Sequence, residues 1–545
     1  MNDLPSDVPA QNKARTRSGV RGYWPVTRFD LLISILITFL GFVARIYSIG
    51  ASSLWVDEAA SLAFSRMDWT DLFTTLPAIE TNPPVYYAIL NGWTSLAGTS
   101  ETALRMPSAL AGTASVFILF LIALKQYGRT AAIVAAGFLA VSALHVSYAQ
   151  EARVTPMVTL LFTIGLGLVN ALISRLQNQQ ATWVLFLALS VVAAALPYLH
   201  YSAFFVAIVL GCYALLRLFF GGHLRAVAGR IGAVAVLVLL LAFPPLFWAF
   251  ELLGHADSPA GWLKPPSFWD AKYVFHQALG HGYLPFGRAG WLPADVQDSS
   301  AVRLLATRRL AELSLFLICC VGVLISLRQR ENSIPALLIT LGVVIILFFG
   351  ISQAKPILIE RTITYSTPML AMIAGYSVSV MRWRPLVIVA AFNVIGFQAV
   401  NLSAYYPRAE KEPWRALFAR TESNYRADNA VIFASGPYLS PTISTAILAE
   451  YYWAGLPKQH AFTLQPAVAG RLHALGLSLT PWVKDLNLQT ACAQLGANTG
   501  IIVIFRRSED AEQLVQTLGA LNSRLLSQTT EGELGFELWS ATSCT

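Results

Sequence analysis

Long apolar runs alternate with short polar turns between residues 30 and 404. The runs lie near 30–49, 106–124, 131–147 and 154–173, then near 182–199, 202–220, 231–250 and 308–327, and last near 333–351, 362–381 and 385–404. A helix needs ~20 apolar residues to cross a bilayer core, and each run approaches that length. The pattern predicts a polytopic α-helical membrane protein with about eleven transmembrane helices.

The turns set its orientation. With the N-terminus inside, the inside turns hold Lys125 and Arg129, then Arg175, then Arg217, Arg225 and Arg230. The later ones hold Arg328 and Arg330, then Arg382 and Arg384. Every inside turn thus carries Lys or Arg, as the positive-inside rule requires. An odd number of spans puts the C-terminus outside. The polar, basic residues 1–29 read as a disordered cytoplasmic tail, and the first apolar run as a signal anchor without a cleavage site.

Two outer segments are long, 50–105 and 251–307. The first contains NPPVYYAILNGWTSLAG, too short for a span and suited to lie along the interface. The second is rich in Trp, Pro, His and Gly, and aromatic side chains favour the membrane surface. After about residue 405 charge returns and the periodicity changes. AVIFAS (430–435), GIIVIF (500–505) and the late GFELWSA read as strands, and SEDAEQLVQTLGAL (508–521) as a helix capped by Ser508. Residues 30–404 are therefore expected to form the membrane part, and 405–545 a periplasmic α/β domain.

Composition strengthens the membrane reading. Only 12% of the 545 residues are charged and 55% are hydrophobic, whereas a soluble domain carries ~25% charged residues. Lipid supplies the missing solvent. The net charge of +8 sits in clusters between apolar runs, which argues for membrane orientation and against nucleic acid as a partner. Cys212, Cys319 and Cys320 fall in apolar runs and read as small hydrophobes. Cys492 and Cys544 lie in the polar part, where they either pair in an oxidising compartment or stay free thiols.

Candidate chemistry gathers in the outer segments. LWVDEAAS places Asp57 and Glu58 just beyond the first run, among apolar neighbours. A carboxylate in a partly dry place can serve as general base; the pair could equally be a solvated loop feature or a helix cap. Asp57 and Glu58 could also hold a divalent cation, Mg or Mn, with phosphate oxygens. YAQEARVTPM puts Glu151 and Arg153 on the same side, either as site residues or as an interfacial ion pair. Arg45, Arg105, Lys355 and Arg361 are cations where the positive-inside rule expects few. Guanidinium groups hold phosphate by paired hydrogen bonds, and snorkelling to headgroups is the other account of each. His200, in PYLHYSAFF, sits near the same face. No P-loop, Rossmann fingerprint, zinc spacing or GxSxG is present, which argues against a nucleotide-sugar or ATP mechanism.

The series Arg45, WVDEA, NPPVYY, LRMPSALAG, YAQEARV, HY and KPILIER followed by Pro368 resembles the bacterial protein O-mannosyltransferase-like family. That family belongs to the GT-C membrane glycosyltransferases, with the lipid A aminoarabinose transferases as relatives. The resemblance covers about 30–404. It implies a GT-C fold and an inverting transfer of a monosaccharide from a polyprenyl-phosphate donor to a hydroxyl of a glycan, lipid or protein. Asp57 would take the acceptor proton with Glu58 in support, Glu151 would match the acidic residue of the second outer loop, and Arg105 an arginine tied to donor or catalytic site. Arg45, Arg153, His200, Lys355 and Arg361 would complete the donor-phosphate site. Asn82 stands where the aminoarabinose transferases place a lysine, and Arg361-Thr362 where many relatives have Arg-Tyr. A transporter of a lipid-linked saccharide is the competing reading, but it should show polar or broken helices at midplane. Here the runs are mostly clean and the charges gather at one face. A non-catalytic scaffold would leave the paired carboxylates without a purpose.

Overall fold

The structure, a computed structural model, describes residues 26–78, 80, 82–254, 265–278, 299–408, 411–425, 429–434, 439–463, 484–485, 500–505, 524–531 and 534–540. The first 25 residues of the expected tail, most of the 251–307 segment, the expected 508–521 helix, Cys492 and Cys544 lie outside the described residues.

Helix α1 (Arg28–Ile46) opens with a reciprocal cap. The Thr27 hydroxyl accepts from the Asp30 N–H at 3.2 Å, and the Asp30 carboxylate accepts from the Thr27 N–H at 3.0 Å. Two helix-end donors are thereby satisfied. Phe29, Leu32, Ile35, Leu36, Phe39 and Leu40 remain exposed on this helix, an apolar face that only lipid or a partner would cover. The segment after it folds into α2 (Val56–Ser65), α3 (Trp69–Thr74) and α4 (Pro84–Ala97). Pro84 starts α4, where its missing N–H is not needed.

Helix α5 (Glu101–Tyr127) contains Pro107, which cannot donate to the carbonyl of Ala103. The Trp93 indole N–H takes that carbonyl instead, at 2.8 Å. Helices α6 (Arg129–Ala140) and α7 (Ala143–Ala149) form one run bent by 54°. They are followed by α8 (Thr155–Gln177), α9 (Trp183–Leu199) and α10 (Ala203–Phe220). A second pair bent by 54° is α11 (Ala228–Leu241) with α12 (Phe243–Gly254). Then come α13 (Phe268–Ala278), α14 (Ser299–Gln329), α15 (Ser333–Ala354), the one-turn α16 (Glu360–Ile363), α17 (Thr367–Ser379) and α18 (Arg384–Tyr405). Helices α5, α6, α8 and α17 pack at the centre. Gly375 on α17 comes so near α6 that a Cβ there would lie 2.5 Å from the Ala131 carbonyl oxygen, the close approach that small residues permit between membrane helices.

Among the described residues, seven helices are long and apolar enough to cross a membrane, or nine if each bent pair is one span. Two of the eleven expected runs fall outside that count. Helix α9 is 17 residues long. The run 362–381 is divided, because a 3-10 turn at Thr364–Ser366 precedes α17, which has 13 residues.

The remaining elements are α19 (Trp414–Asn424), β1 (Ala430–Ala434), α20 (Leu439–Tyr452), β2 (Ala461–Thr463), β3 (Lys484–Asp485), β4 (Gly500–Phe505), β5 (Arg524–Glu531) and β6 (Leu534–Ser540). They include one six-stranded sheet in the order β3-β2-β1-β4-β6-β5. Its β3, β2, β1 and β4 are parallel neighbours, and β6 runs antiparallel to both β4 and β5. Consecutive residues Val431, Ile432 and Phe433 are all fully buried, as in a parallel strand covered on both faces. Three of these strands fall where the sequence pattern puts them.

Candidate functional site

The site is built where α2 starts. Helix α2 begins on Val56, so Asp57 and Glu58 occupy its first turn, where negative charge suits the helix dipole. Adjacent helical positions point in different directions, and the two carboxylates meet different partners.

Glu58 is fully buried. Its two oxygens accept from Arg105 Nε at 2.8 Å and Arg105 Nη2 at 2.7 Å. They also accept from the backbone N–H of Ala152 at 2.8 Å and of Trp55 at 3.4 Å. Arg105 spends its other donors on the carbonyls of Ile49 (2.7 Å), Ser52 (3.0 Å) and Ser53 (2.9 Å). All the N–H groups that a guanidinium owns are thus engaged within the protein. Glu58 and Arg105 form a bracket that fixes the 49–58 turn; neither is left to act on substrate.

Asp57 is different. Its carboxylate accepts from Arg361 Nη1 at 2.7 Å and pairs with Arg153 Nη2 at 3.5 Å, and it stays a quarter exposed. Burial pushes its carboxyl up, but the two guanidinium groups outweigh this and hold it at about 2. Arg153 is buried and also donates to the Asp57 carbonyl at 3.2 Å. Arg361 rides on a turn closed by small side chains. The Ser352 hydroxyl accepts from the N–H groups of Ile357 (3.1 Å) and Leu358 (2.8 Å), and the Thr362 hydroxyl accepts from that of Ile359 (3.2 Å). Thr362 therefore has a place in shaping the turn that presents Arg361.

A cleft opens beside this pair, lined by Thr155, Val158, His200, Ala203, Arg361 and Tyr365. His200 Nδ1 accepts from the Ser202 N–H at 3.0 Å. Burial, and then Arg361 and Arg153, push the imidazole down to about 3, so it is neutral. The buried Tyr365 hydroxyl has no hydrogen-bond partner among the described residues, a vacancy that a ligand group in the cleft could fill. Glu151 lies in the turn before α8 and accepts from Lys411 Nζ at 2.7 Å. Burial raises its carboxyl above the ordinary value, and Lys411 opposes that rise. Asn82 is held by Glu80 Oε1 at 2.6 Å and Tyr87 Oη at 3.2 Å, and Glu80 bears electrostatically on Arg153.

Three expected phosphate ligands stand elsewhere. Arg45 is fully buried at the bend between α6 and α7. It donates to the carbonyls of Leu139 (3.1 Å), Ala140 (3.0 Å) and Gly41 (2.7 Å), and its Nη2 lies 2.7 Å from His145 Nδ1. The Leu139 and Ala140 carbonyls end α6 and have lost their helical partners, so Arg45 is the cap of a broken helix, while Gly41 lies one turn back on its own helix α1. Gly112 leaves it room, since a Cβ there would lie 2.9 Å from Arg45 Nε. The runs are therefore less clean than the sequence pattern suggested, yet protein groups fill this break. Arg105 belongs to the Glu58 bracket. Lys355 is exposed at the end of α15, and among the described residues it makes no hydrogen bond or ion pair with the Asp57 cluster. The structure brings together Asp57, Arg153, Arg361 and His200, with Glu151 nearby. Sequence reasoning missed Tyr365, Glu80 and Lys411; only their buried or clustered surroundings mark them.

Among the described residues no group of three or more His, Cys, Asp or Glu side chains converges. Asp57 Oδ2 and both Glu58 oxygens are engaged by guanidinium groups.

Residues 81–248 match the family model of dolichyl-phosphate-mannose-protein mannosyltransferases. The fold is similar to that of ArnT from Cupriavidus metallidurans bound to undecaprenyl phosphate, with a TM-score of 0.58 at 12% identity over 94% of this chain and 98% of that one. The same protein in the apo state gives a TM-score of 0.58 at 12% identity, over 92% and 97% of the two chains. No curated protein matches the chain in sequence. The apolar helices make this a multi-pass membrane protein, and its fold is similar to that of ArnT over almost the whole chain. Over residues 81–248 the chain resembles the dolichyl-phosphate-mannose-protein mannosyltransferases.

Proposed function

We propose that this chain moves a monosaccharide, with inversion, from a polyprenyl-phosphate donor to a hydroxyl acceptor on the periplasmic side of a bacterial inner membrane. The observation that carries the reading is the Asp57 carboxylate held between Arg361 and Arg153 beside the cleft of His200 and Tyr365. ArnT, whose fold is similar, is described with undecaprenyl phosphate bound, which supports a lipid phosphate as the anion.

A carboxyl held at about 2 is a weak base. An arriving phosphate offers the same guanidinium groups a stronger partner, and Asp57 then regains basicity as it loses them. The acceptor hydroxyl oxygen bonds to the anomeric carbon while the bond from that carbon to the phosphate oxygen breaks. The electron pair leaves with the lipid phosphate, whose charge Arg361 and Arg153 stabilise. The hydroxyl proton passes to Asp57. Neutral His200 can orient a hydroxyl without adding charge.

The test is consumption of a panel of polyprenyl-phosphate sugars by membranes containing the full chain, with envelope extract as acceptor and Asp57→Asn alongside. One donor consumed by wild type and not by a folded variant supports the reading and names the sugar. Equal consumption by the variant removes Asp57 as the base. A lipid-linked sugar that changes leaflet without being consumed would instead make the protein a transporter.

A further inference from the structure

Residues 411–415, Lys-Glu-Pro-Trp-Arg, follow the last long apolar helix and precede the sheet. They run back over the turn that carries Asp57. Lys411 Nζ donates to Glu151 at 2.7 Å and stands 3.9 Å from the centre of the Trp55 ring, near enough for a cation–π attraction. The buried Glu412 carboxylate accepts from the Val56 N–H at 3.1 Å and from the Trp414 indole N–H at 2.8 Å. Val56 is the first residue of α2, so Glu412 caps the helix whose first turn bears Asp57 and Glu58.

The neighbouring contacts extend this hold. The Arg415 N–H donates to the Ser53 hydroxyl at 3.2 Å, and Arg415 Nη1 to the Ala51 carbonyl at 2.9 Å. Tyr452 of α20 accepts from the Leu54 N–H at 2.7 Å and donates to Glu101 at 3.1 Å. The strip from Ala51 to Val56 is therefore fastened from the C-terminal part of the chain at Ala51, Ser53, Leu54 and Val56. A docked domain with no part in the site would have no need to reach Glu151 and the start of α2 together.

We propose that Lys411 is a positioning residue of the transfer site and that Glu412 caps the catalytic helix, so that the C-terminal part of the chain completes the site. Lys411 acts through Glu151 and Trp55 to set the place of Asp57. Glu151 is faced by Lys411, by Glu58 from α2 and by Arg153 from its own turn. The cation opposes the rise that burial imposes on the Glu151 carboxyl and holds that side chain in place. This role rests on the glycosyltransferase reading above.

The experiment uses the full chain in proteoliposomes and the polyprenyl-phosphate sugar that wild type consumes. Lys411→Gln, Lys411→Arg and Glu412→Gln are compared for kcat, KM, the pH profile and thermal unfolding. Displacing a catalytic group by about 1 Å can cost ~100-fold in rate, so Lys411→Gln and Glu412→Gln should lose about 10- to 100-fold in kcat with KM for the donor little changed. Lys411→Gln should also move the acid limb to higher pH, and Lys411→Arg should restore most of the rate. A Lys411→Gln protein with wild-type kcat and pH profile overturns the proposal. So does a loss that only tracks the folded fraction while the pH profile is unchanged, because that marks a docking contact. If wild type consumes no donor while unfolding normally, the transferase reading fails first and this role goes with it.

Discussion

Arg361 donates a 2.7 Å hydrogen bond to the Asp57 carboxylate, across 304 residues of sequence. The pair joins the one-turn α16 to the first turn of α2 at the edge of a cleft, and both side chains are a quarter exposed. An ion pair that water and a ligand can both reach is suited to exchange partners; one sealed in the core is not.

Donor phosphate and Asp57 compete for the same guanidinium. Arg361→Ala should therefore raise KM for the donor by about tenfold, which corresponds to ~1.4 kcal/mol of binding, and Arg361→Lys should recover only part of it. Steady-state kinetics with the consumed donor decides. A fall in kcat at constant KM would mean that Arg361 acts in the transition state alone.

The Glu58–Arg105 bracket predicts a different kind of loss. Both side chains are almost fully buried, and breaking a buried pair by removing one partner costs ~3–5 kcal/mol. Glu58→Gln and Arg105→Ala should lower the unfolding temperature and the yield of folded protein, whereas Asp57→Asn should leave yield near wild type and cut turnover by ~100- to 10,000-fold. Thermal unfolding in detergent alongside the transfer assay separates the two. A stable Arg105→Ala protein would refute the bracket.

The acid limb of the rate profile should belong to Glu151. Its carboxyl is raised by burial against the pull of Lys411, while Asp57 is held at about 2 and remains ionised there. As pH falls through the raised value, Glu151 takes a proton and the ion pair with Lys411 is lost. Glu151→Gln should give a slower enzyme without that limb, measured as kcat/KM, which reports the free enzyme, between about pH 4 and pH 8. Asp57, with its lowered value, contributes stability that is present above 3.8 and lost as pH falls toward about 2.

Arg45→Ala should unhinge the α6–α7 break, because the carbonyls of Leu139 and Ala140 would be left buried without donors. Each such group costs ~1–3 kcal/mol. The expected result is lower thermal stability with KM for the donor unchanged in whatever protein remains folded. A selective rise in KM would return Arg45 to the donor site.

Much of the fold is legible in the chain. Runs of membrane length at α1, α5, α8 and α15 are apolar over most of their extent, and hydrophobic burial by lipid is a property of each run alone. The strands β1 and β4 announce themselves in the same way. The divided 362–381 run is not legible, because a 3-10 turn in an apolar sequence is decided by what packs against it. Nor is the bend at Val141, since Arg45 must arrive from another helix to cap it.

The site divides along the same line. By itself the sequence determined that carboxylates and cations would gather at one end of a helical membrane protein, because charge next to lipid is costly and so conspicuous. Which charge meets which was left to the tertiary structure. Asp57 and Glu58 are adjacent in sequence and equal in chemistry, yet successive helical positions face different neighbours. Glu58 is sealed by Arg105 and the Ala152 N–H, and Asp57 is left a quarter exposed, paired with Arg153 and with Arg361, which lines the cleft. A carboxylate's role depends on the partners and solvent within a few ångströms, and those are supplied by segments far away in the chain.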